Sequence, residues 1–509
     1  MFGLLLDALQ GMLAVKYLVP LLAGTLAGIV GGALPGVTIT MTIIVVLPFT
    51  FGLDPLQGLA AMTGVYVGGS AGGLVTAILL GIPGTPSAIA TTFDGHPMAK
   101  KGEPGRALWL GIWASFFGGL LGAVFLIGAT GPLARFALQF GPWEFFSLFV
   151  LALSMVAGLV EASVLKGLIA GVLGLIVTVI GNDPVMGQER LTLGIPFLRG
   201  GIDFLPVLIG VFAFSQVMQE VERIGGVAQV AGRLDRALSL AVSHAKVIWE
   251  IVSRPFQLLW FAFIGVLIGV LPAIGGSAAS MFAWDQAKKI SRHPERFGTG
   301  TPEGIIASES SNNANVGGSL VTIMAFGIPG DAVTAVMLGA LTIHGIQSGP
   351  LFIAQNAQLA YGIFAAYLLA HPLMVLLLAL GARWMLGVVM VPRAVLYPVV
   401  LVLCAIGAYA LNNTMANVYV LLAFGVLGYA MVKAGFPLAP FILGVILGDQ
   451  IEINLVRALM TDANLWLFVT RPISGLLLAA AVLSFVAAIW QHRRTRAQGA
   501  SASGAEADF

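Results

Sequence analysis

Two segments place a proline between glycines inside an apolar run: Gly81-Ile-Pro-Gly84 and Gly327-Ile-Pro-Gly330. Proline removes a backbone donor and clashes with the preceding turn, while glycine lets the chain leave helical dihedrals. The backbone groups freed by such a break are tolerable at membrane depth only where protein, water or ligand satisfies them. A helix restarting at the break points its free N–H groups and positive dipole end at the gap, which suits a carboxylate. Gly81, Pro83, Gly84, Gly327, Pro329 and Gly330 are therefore candidate substrate-binding positions. Thr85 and Ser87 follow the first break and can cap the restarting helix or bond the substrate. Asp331 stands where the first segment has Thr85, and its charge can cap a helix or hold a cation.

The most polar string of the chain, Ser308-Glu-Ser-Ser-Asn-Asn-Ala-Asn315, comes just before Gly317-Gly318. One charge and six hydroxyl or amide side chains lead directly into an apolar span. At an unwound helix tip, side-chain and carbonyl oxygens would suit a dehydrated sodium ion. Ser308, Ser311, Asn312, Asn315 and Asp331 form the candidate sodium site. Amides and hydroxyls also donate to carboxylates, which adds Asn312, Asn313 and Ser319 to the substrate-binding candidates. The competing reading is a polar loop with a helix cap at the membrane surface.

These residues need elements to hold them, and the sequence supplies a repeat. Gly72 to Gly84 aligns with Gly318 to Gly330 at eight identities in thirteen positions. Upstream, Gly32-Ala-Leu-Pro35 pairs with Gly269-Val-Leu-Pro272, which makes Pro35 and Gly36 further candidates. Downstream, Asp94-Gly-His-Pro-Met pairs loosely with Ile343-His-Gly-Ile-Gln. A unit of this kind occurring twice is the usual architecture of secondary transporters, with substrate at the repeat interface.

The solvent of these elements is lipid. Of 509 residues, 58% are hydrophobic and 9% charged, and the mean hydropathy is +0.97. A soluble chain would carry about a quarter charged residues. Continuous apolar runs such as 17–53, 55–93 and 332–382 match helical spans and not the alternating segments of an outer-membrane barrel. The expected fold is an all-α polytopic membrane protein with about twelve transmembrane helices plus re-entrant hairpins and two internal repeats, expected to be inverted. Stretches 36–52, 332–347 and 436–448 read as half-spans. The expected organisation runs from an amphipathic lead-in (1–16) through a first repeat half (17–219, hairpin motif 32–102) to a basic connection (220–254). A second half (255–490, hairpin motif 269–341) and a basic, then disordered tail (491–509) follow. Positive charge in 100–106, 220–254, 288–296 and the tail favours the cytoplasm. If both 220–254 and 285–303 are cytoplasmic, 255–284 enters and returns with its turn at Pro272–Gly276; otherwise one basic loop is periplasmic.

Other side chains carry less. Cys404 is the only cysteine, in an apolar run, so disulfides and cysteine–zinc sites within the chain are excluded. Glu161 and Lys166 read as an interfacial pair, and Asp54 and Asp449 as span-end caps. His96, His344 and His371 show no metal spacing. The chain has no phosphate loop ending in Lys-Ser/Thr. Its basic residues lack aromatic interleaving, so neither ATP hydrolysis nor nucleic acid is expected.

At Gly32-ALPGVTITM-41, Gly68-GSAGGLVTAILLGIPGTPSAIATTFDGHPMAKKG-102, Gly269-VLPAIGGS-277, Glu303-GIIASESSNNANVGGSLV-321 and Phe326-GIPGDAVTAVMLGAL-341, the sequence resembles the large permease subunit of the tripartite tricarboxylate transporter family (TctA type). The likeness runs from about residue 17 to 480. It implies a permease in a bacterial inner membrane, working with a small membrane subunit and a periplasmic solute-binding protein. It further implies uptake of a carboxylate (citrate or another tricarboxylate, a dicarboxylate or an aromatic acid) driven by sodium or protons. No cofactor is expected beyond the coupling ion. An elevator-type movement of the domain holding both hairpins is implied by analogy. A passive pore could not concentrate solute, which separates it from a carrier. A membrane enzyme would need Ser87, His96 or Asp331, and no spacing supports one. Bulky residues at Pro83, Gly84, Asn312 or Asn313 are expected to abolish uptake without loss of the folded protein.

Overall fold

The computed structural model describes residues 2–158, 163–183, 187–222, 242–272, 274–388 and 391–506. In chain order the main helices are α1 (Phe2–Met12), α2 (Val15–Ala33), α3 (Ile39–Val46), α4 (Pro55–Leu80), α5 (Ile89–Lys100), α6 (Pro104–Ala137), α7 (Pro142–Gly158), α8 (Val164–Thr178) and α9 (Phe204–Glu222, π-helical over Ile209–Phe214). They continue as α10 (His244–Val252), α11 (Pro255–Val270), α12 (Gly275–Ile290), α13 (Pro302–Phe326), α14 (Ala332–Ile343), α15 (Ala357–Val388), α16 (Arg393–Asn412), α17 (Met415–Lys433), α18 (Leu438–Thr461) and α19 (Pro472–Glu506). The chain is an all-α polytopic membrane protein.

Among the described residues nine helices are long and apolar enough to cross a membrane, or up to ten with the bent pair α10–α11. Fewer helices than the expected twelve pass this test among the described residues, and helix length gives the reason. Several apolar runs form helices of 10–17 residues, including Ile39–Thr50, Val164–Thr178 and Ala332–Ile343, too short to span alone. The reverse error falls at 436–448. No break follows Gly448, so α18 continues to Thr461 and Asp449 lies inside it, not at a cap. The tail also departs from expectation, because its backbone extends α19 to Glu506, as its alanines and arginines favour. Glu161, Arg223, Arg233, Arg236 and Ala273 lie outside the described residues. Lys166 bonds the Ala434 carbonyl at 2.6 Å.

Two compact units do not follow the two chain halves. One holds 1–137 and 216–418; the other holds 138–215 and 419–509. In the second, Gly174 of α8 packs against the Phe441 carbonyl of α18. There Arg190 also pairs with Glu452 at 2.6 Å, and Arg471 with Glu144 at 2.6 Å. The first unit contains both hairpin motifs and everything discussed below.

Within it α4 and α13 are built alike. Each begins with proline at its first turn, behind the caps Asp54 and Thr301, where the missing N–H costs nothing. Asp54 completes a capping box with Gln57, as its span-end reading expects. Each helix ends on a left-handed glycine, Gly81 at φ 72° and Gly327 at φ 73°, a conformation that disfavours any side chain. Both are enclosed by protein: 89% of the apolar window of α4 is buried, against 11% for Pro472–Trp490, whose exposed side chains suit lipid.

The short partner helices pack by close glycine approach. A Cβ on Gly32 would lie 2.5 Å from the Gly69 carbonyl oxygen, and one on Gly269 would lie 2.3 Å from that of Asn315. The pattern repeats one turn earlier, Gly28 on Val65 and Gly265 on Ser311. These are corresponding residues of the two sequence copies, so α2 lies on α4 as α11 lies on α13. In both pairs higher numbers meet higher numbers, so the partners run parallel.

Candidate functional site

Each Gly-Ile-Pro-Gly break folds back on the helix it ends. After α4, the Gly84 N–H donates to the Gly73 carbonyl at 3.3 Å. A Cβ on Gly84 would sit 2.1 Å from the Gly32 carbonyl oxygen, and one on Gly330 would sit 2.4 Å from that of Gly269. The glycines that release the helix thus also seat the loop against the neighbouring hairpin. Pro83 and Pro329 lie inside these loops, and Pro35 and Gly36 (φ 90°) lie in the α2–α3 turn. The Gly36 carbonyl accepts from Gln216 at 3.4 Å.

The polar residues of the breaks behave differently. Thr85 starts a 3-10 turn without a side-chain cap bond, and its hydroxyl lies 3.1 Å from that of Ser87. Neither caps α5. Asp331 is a cap: its Oδ1 accepts the Thr334 N–H at 2.8 Å. Its other oxygen accepts the hydroxyl of Tyr66 on α4.

The string 308–315 is neither an unwound tip nor a surface loop. It is the middle of α13, and all eight residues are buried. The helix starts upstream at Pro302, and serines return their hydroxyls to carbonyls one turn back, as Ser308 does to Gly304 at 3.0 Å and Ser310 to Ile306 at 2.7 Å. Helical geometry then sorts the string by face. Asn312, Asn315 and Ser319 share one stripe, at intervals of three and four. Asn312 donates to the Ser70 carbonyl at 2.9 Å. The Oδ1 of Asn315 and the Oγ of Ser319 are buried without a hydrogen-bond partner. Ser311 is engaged with the Ala279 carbonyl at 3.0 Å, and Ser308 with Thr91 and its own helix. Asn313 faces another way, its main-chain oxygen accepting the Tyr367 hydroxyl at 3.0 Å. Of the expected sodium ligands, Asn312 and Asn315 share this stripe with Ser319, and Asp331 bonds Tyr66 and Thr334; Ser308 and Ser311 bond Thr91 and the Ala279 carbonyl.

Two helices from different copies meet here. Tyr66 of α4 reaches Asp331 after α13, while Ser70, one turn later in α4, receives Asn312, earlier in α13. The two helices pass in opposite directions. On the far side of Asn312 lies the start of α12: a Cβ on Gly276 would be 2.5 Å from Asn312 Oδ1 and 3.5 Å from Ser87 Cβ. Ser280 of α12 donates to the Ser87 carbonyl at 2.8 Å. No side chain caps α12, so its first N–H groups have no capping oxygen, and this start of the helix lies beside Ser87 and Asn312.

Tyr66, Gly276 and Ser280 escape a reading based on polar strings. The repeat alignment carries the signal for Tyr66, because it pairs that residue with Asn312.

The sequence model of the tripartite tricarboxylate transporter TctA family matches residues 18–443. A protein of Agrobacterium vitis described as an uncharacterized 52.8 kDa protein in the TAR-I ttuC' 3'region is 36% identical over 479 residues, 93% of each chain. A second from that organism, in the TAR-II ttuC' 3'region, is 34% identical over 234 residues, 46% of this chain and 96% of its own. Among solved structures, a manganese transporter mutant of Eremococcus coleocola aligns over 94% of this chain and 96% of its own, at 15% identity and a TM-score of 0.14, too low for a shared fold.

Proposed function

The chain belongs to the TctA family of tripartite tricarboxylate transporters, and from that premise we propose that it imports an organic carboxylate at the meeting point of the two breaks. Uptake is coupled to sodium, with protons the alternative. The observation that carries the reading is the uncapped start of α12 beside Ser87 and Asn312, next to the unpartnered oxygens of Asn315 and Ser319. Free N–H groups at a helix start, with the hydroxyls of Thr85 and Ser87, are donors for a carboxylate. Buried acceptor oxygens without donors, with the Asp331 carboxylate, are ligands for a hard cation. An anion and a cation site side by side would let the two bind and move together.

The opposite running of α4 and α13 supports an inverted relation between the copies. In an elevator-type cycle, the unit holding both hairpins would be the moving one. The proposed setting is a bacterial inner membrane, with a small membrane subunit and a periplasmic binding protein delivering citrate, another di- or tricarboxylate, or an aromatic acid.

The test is uptake of labelled carboxylates into proteoliposomes holding both membrane subunits, with the binding protein added and sodium and proton gradients imposed separately. Accumulation above the external concentration is expected. Equilibration without accumulation would make the protein a pore, and no transport of any carboxylate would refute the reading.

A further inference from the structure

The polar string has a second face, turned away from the breaks. Glu309 sits in the middle of α13 with no solvent exposure. Its carboxyl receives the hydroxyl of Thr91 on α5, and at 2.8 Å that of Ser115 on α6. Both donors are neutral, and no cation pairs with Glu309 among the described residues. The nearby acid of α5, Asp94, is otherwise engaged: it accepts N–H groups of Gly298, Gly300 and Thr301 and the indole of Trp284. A carboxylate at membrane depth without a counter-charge is costly and marks a functional site by default.

One turn along the same helices lies His371 of α15, also fully buried. Its Nδ1 is 2.8 Å from the Tyr367 carbonyl oxygen. A carbonyl can only accept, so Nδ1 holds the hydrogen and Nε2 keeps a lone pair. Nε2 has no partner. It points at α6 beside Gly119, where an added Cβ would lie 1.7 Å from it. Gly119 is one turn, about 6 Å along the axis, from Ser115, which holds Glu309. Asn313, one turn after Glu309, likewise leaves its Oδ1 unpartnered. Besides Glu309 and His371, the titratable side chain facing this place from α15 is Tyr367, whose hydroxyl donates to the Asn313 main chain; α6 presents the Ser115 hydroxyl, and α5 presents Thr91 and the engaged acid Asp94.

The geometry points to a proton-carrying site, with Glu309 binding the proton and His371 the acceptor next along α6, separate from the cation stripe on the other face of α13. Loaded, both side chains are neutral. On release the proton leaves the Glu309 oxygen, which becomes carboxylate, and passes by way of a bridging water to His371 Nε2, which becomes imidazolium; loss of that proton to water restores the imidazole. The inference rests on the transport reading and adds that the substrate is accompanied by a proton even where sodium drives uptake.

The test uses the full complex in proteoliposomes loaded with a pH-reporting dye. Wild-type uptake under a sodium gradient, with equal pH on both sides, should acidify the lumen in step with substrate entry. Glu309→Gln, which keeps the shape and removes the proton site, should lose that acidification and all uptake driven by a proton gradient, while exchange of internal for external substrate continues. His371→Asn should slow net uptake more than exchange. Wild-type uptake with no acidification overturns the proposal, as does Glu309→Gln that still acidifies the lumen. If Glu309→Gln does not assemble, the wild-type dye signal alone decides. Absence of substrate exchange in the wild type would instead refute the carrier reading.

Discussion

The two copies share a backbone and differ in what fills it. In copy one, Thr38 caps α3 by accepting the Met41 N–H at 3.2 Å. The next residue, Ile39, packs on Gly69, where a Cβ would lie 2.9 Å from it. In copy two the corresponding residues are Gly275, Gly276 and Asn315. The cap is gone, the isoleucine is gone, and an amide stands where its partner glycine was. At this matched point copy one is capped and filled by an isoleucine, whereas copy two is uncapped and carries the Asn315 amide. The difference teaches that two segments with matched glycine packing can carry different side-chain chemistry at corresponding positions.

The largest effects should strike both copies equally, because they share the packing. Gly32→Val and Gly269→Val each drive a side chain into a neighbouring carbonyl, at a cost of about 3 kcal/mol or more. Thermal melts in detergent should show both variants losing folded protein. Equal loss supports matched packing, and a tolerant copy breaks it. The same argument corrects an expectation about Gly84: with its Cβ 2.1 Å from the Gly32 carbonyl, a bulky residue there should unfold the protein and not merely stop uptake.

Next come exchanges between copies. Gly276→Ile copies the residue of α3 into α12 and fills the space beside Asn312. Uptake should vanish. The reverse change, Ile39→Gly, removes packing worth roughly 2–4 kcal/mol but should leave the dependence on substrate concentration unaltered. Loss of substrate affinity in Ile39→Gly would show that the start of α3 also binds. Smaller still is Tyr66→Phe, which removes one hydrogen bond to the Asp331 carboxylate, about 1.5–3 kcal/mol. It should lower the melting temperature while leaving Asp331 in place as the α14 cap; an unchanged melt would mean that the cap alone holds that carboxylate.

Much of this was legible in the sequence. The breaks, their glycines and the pairing of copies follow from local residue chemistry, and the half-spans 36–52 and 332–347 fall within a few residues of the helices observed. What was not legible is the placement of the polar string. Ser308 to Asn315 reads as an unwound helix tip, or alternatively as a surface loop, because its residues are poor helix formers when solvated. Inside protein their hydroxyls bond back to their own helix, and Pro302 and Gly327 mark its ends. Which face a residue takes then depends on neighbours far along the chain: Ser70 for Asn312, Tyr367 for Asn313, Thr91 and Ser115 for Glu309. For the same reason His371, isolated in sequence, acquires meaning only when α6 and α13 lie beside it.

The central claim, that copy two holds the coupling cation, is tested most directly by the sodium dependence of uptake in wild type and Asn315→Ala. The Oδ1 of Asn315 has no protein partner to lose, so folding should be little affected. If it is a ligand, its removal should raise the half-saturating sodium concentration by about tenfold or more. An unchanged sodium dependence in a folded, transporting Asn315→Ala would contradict the account.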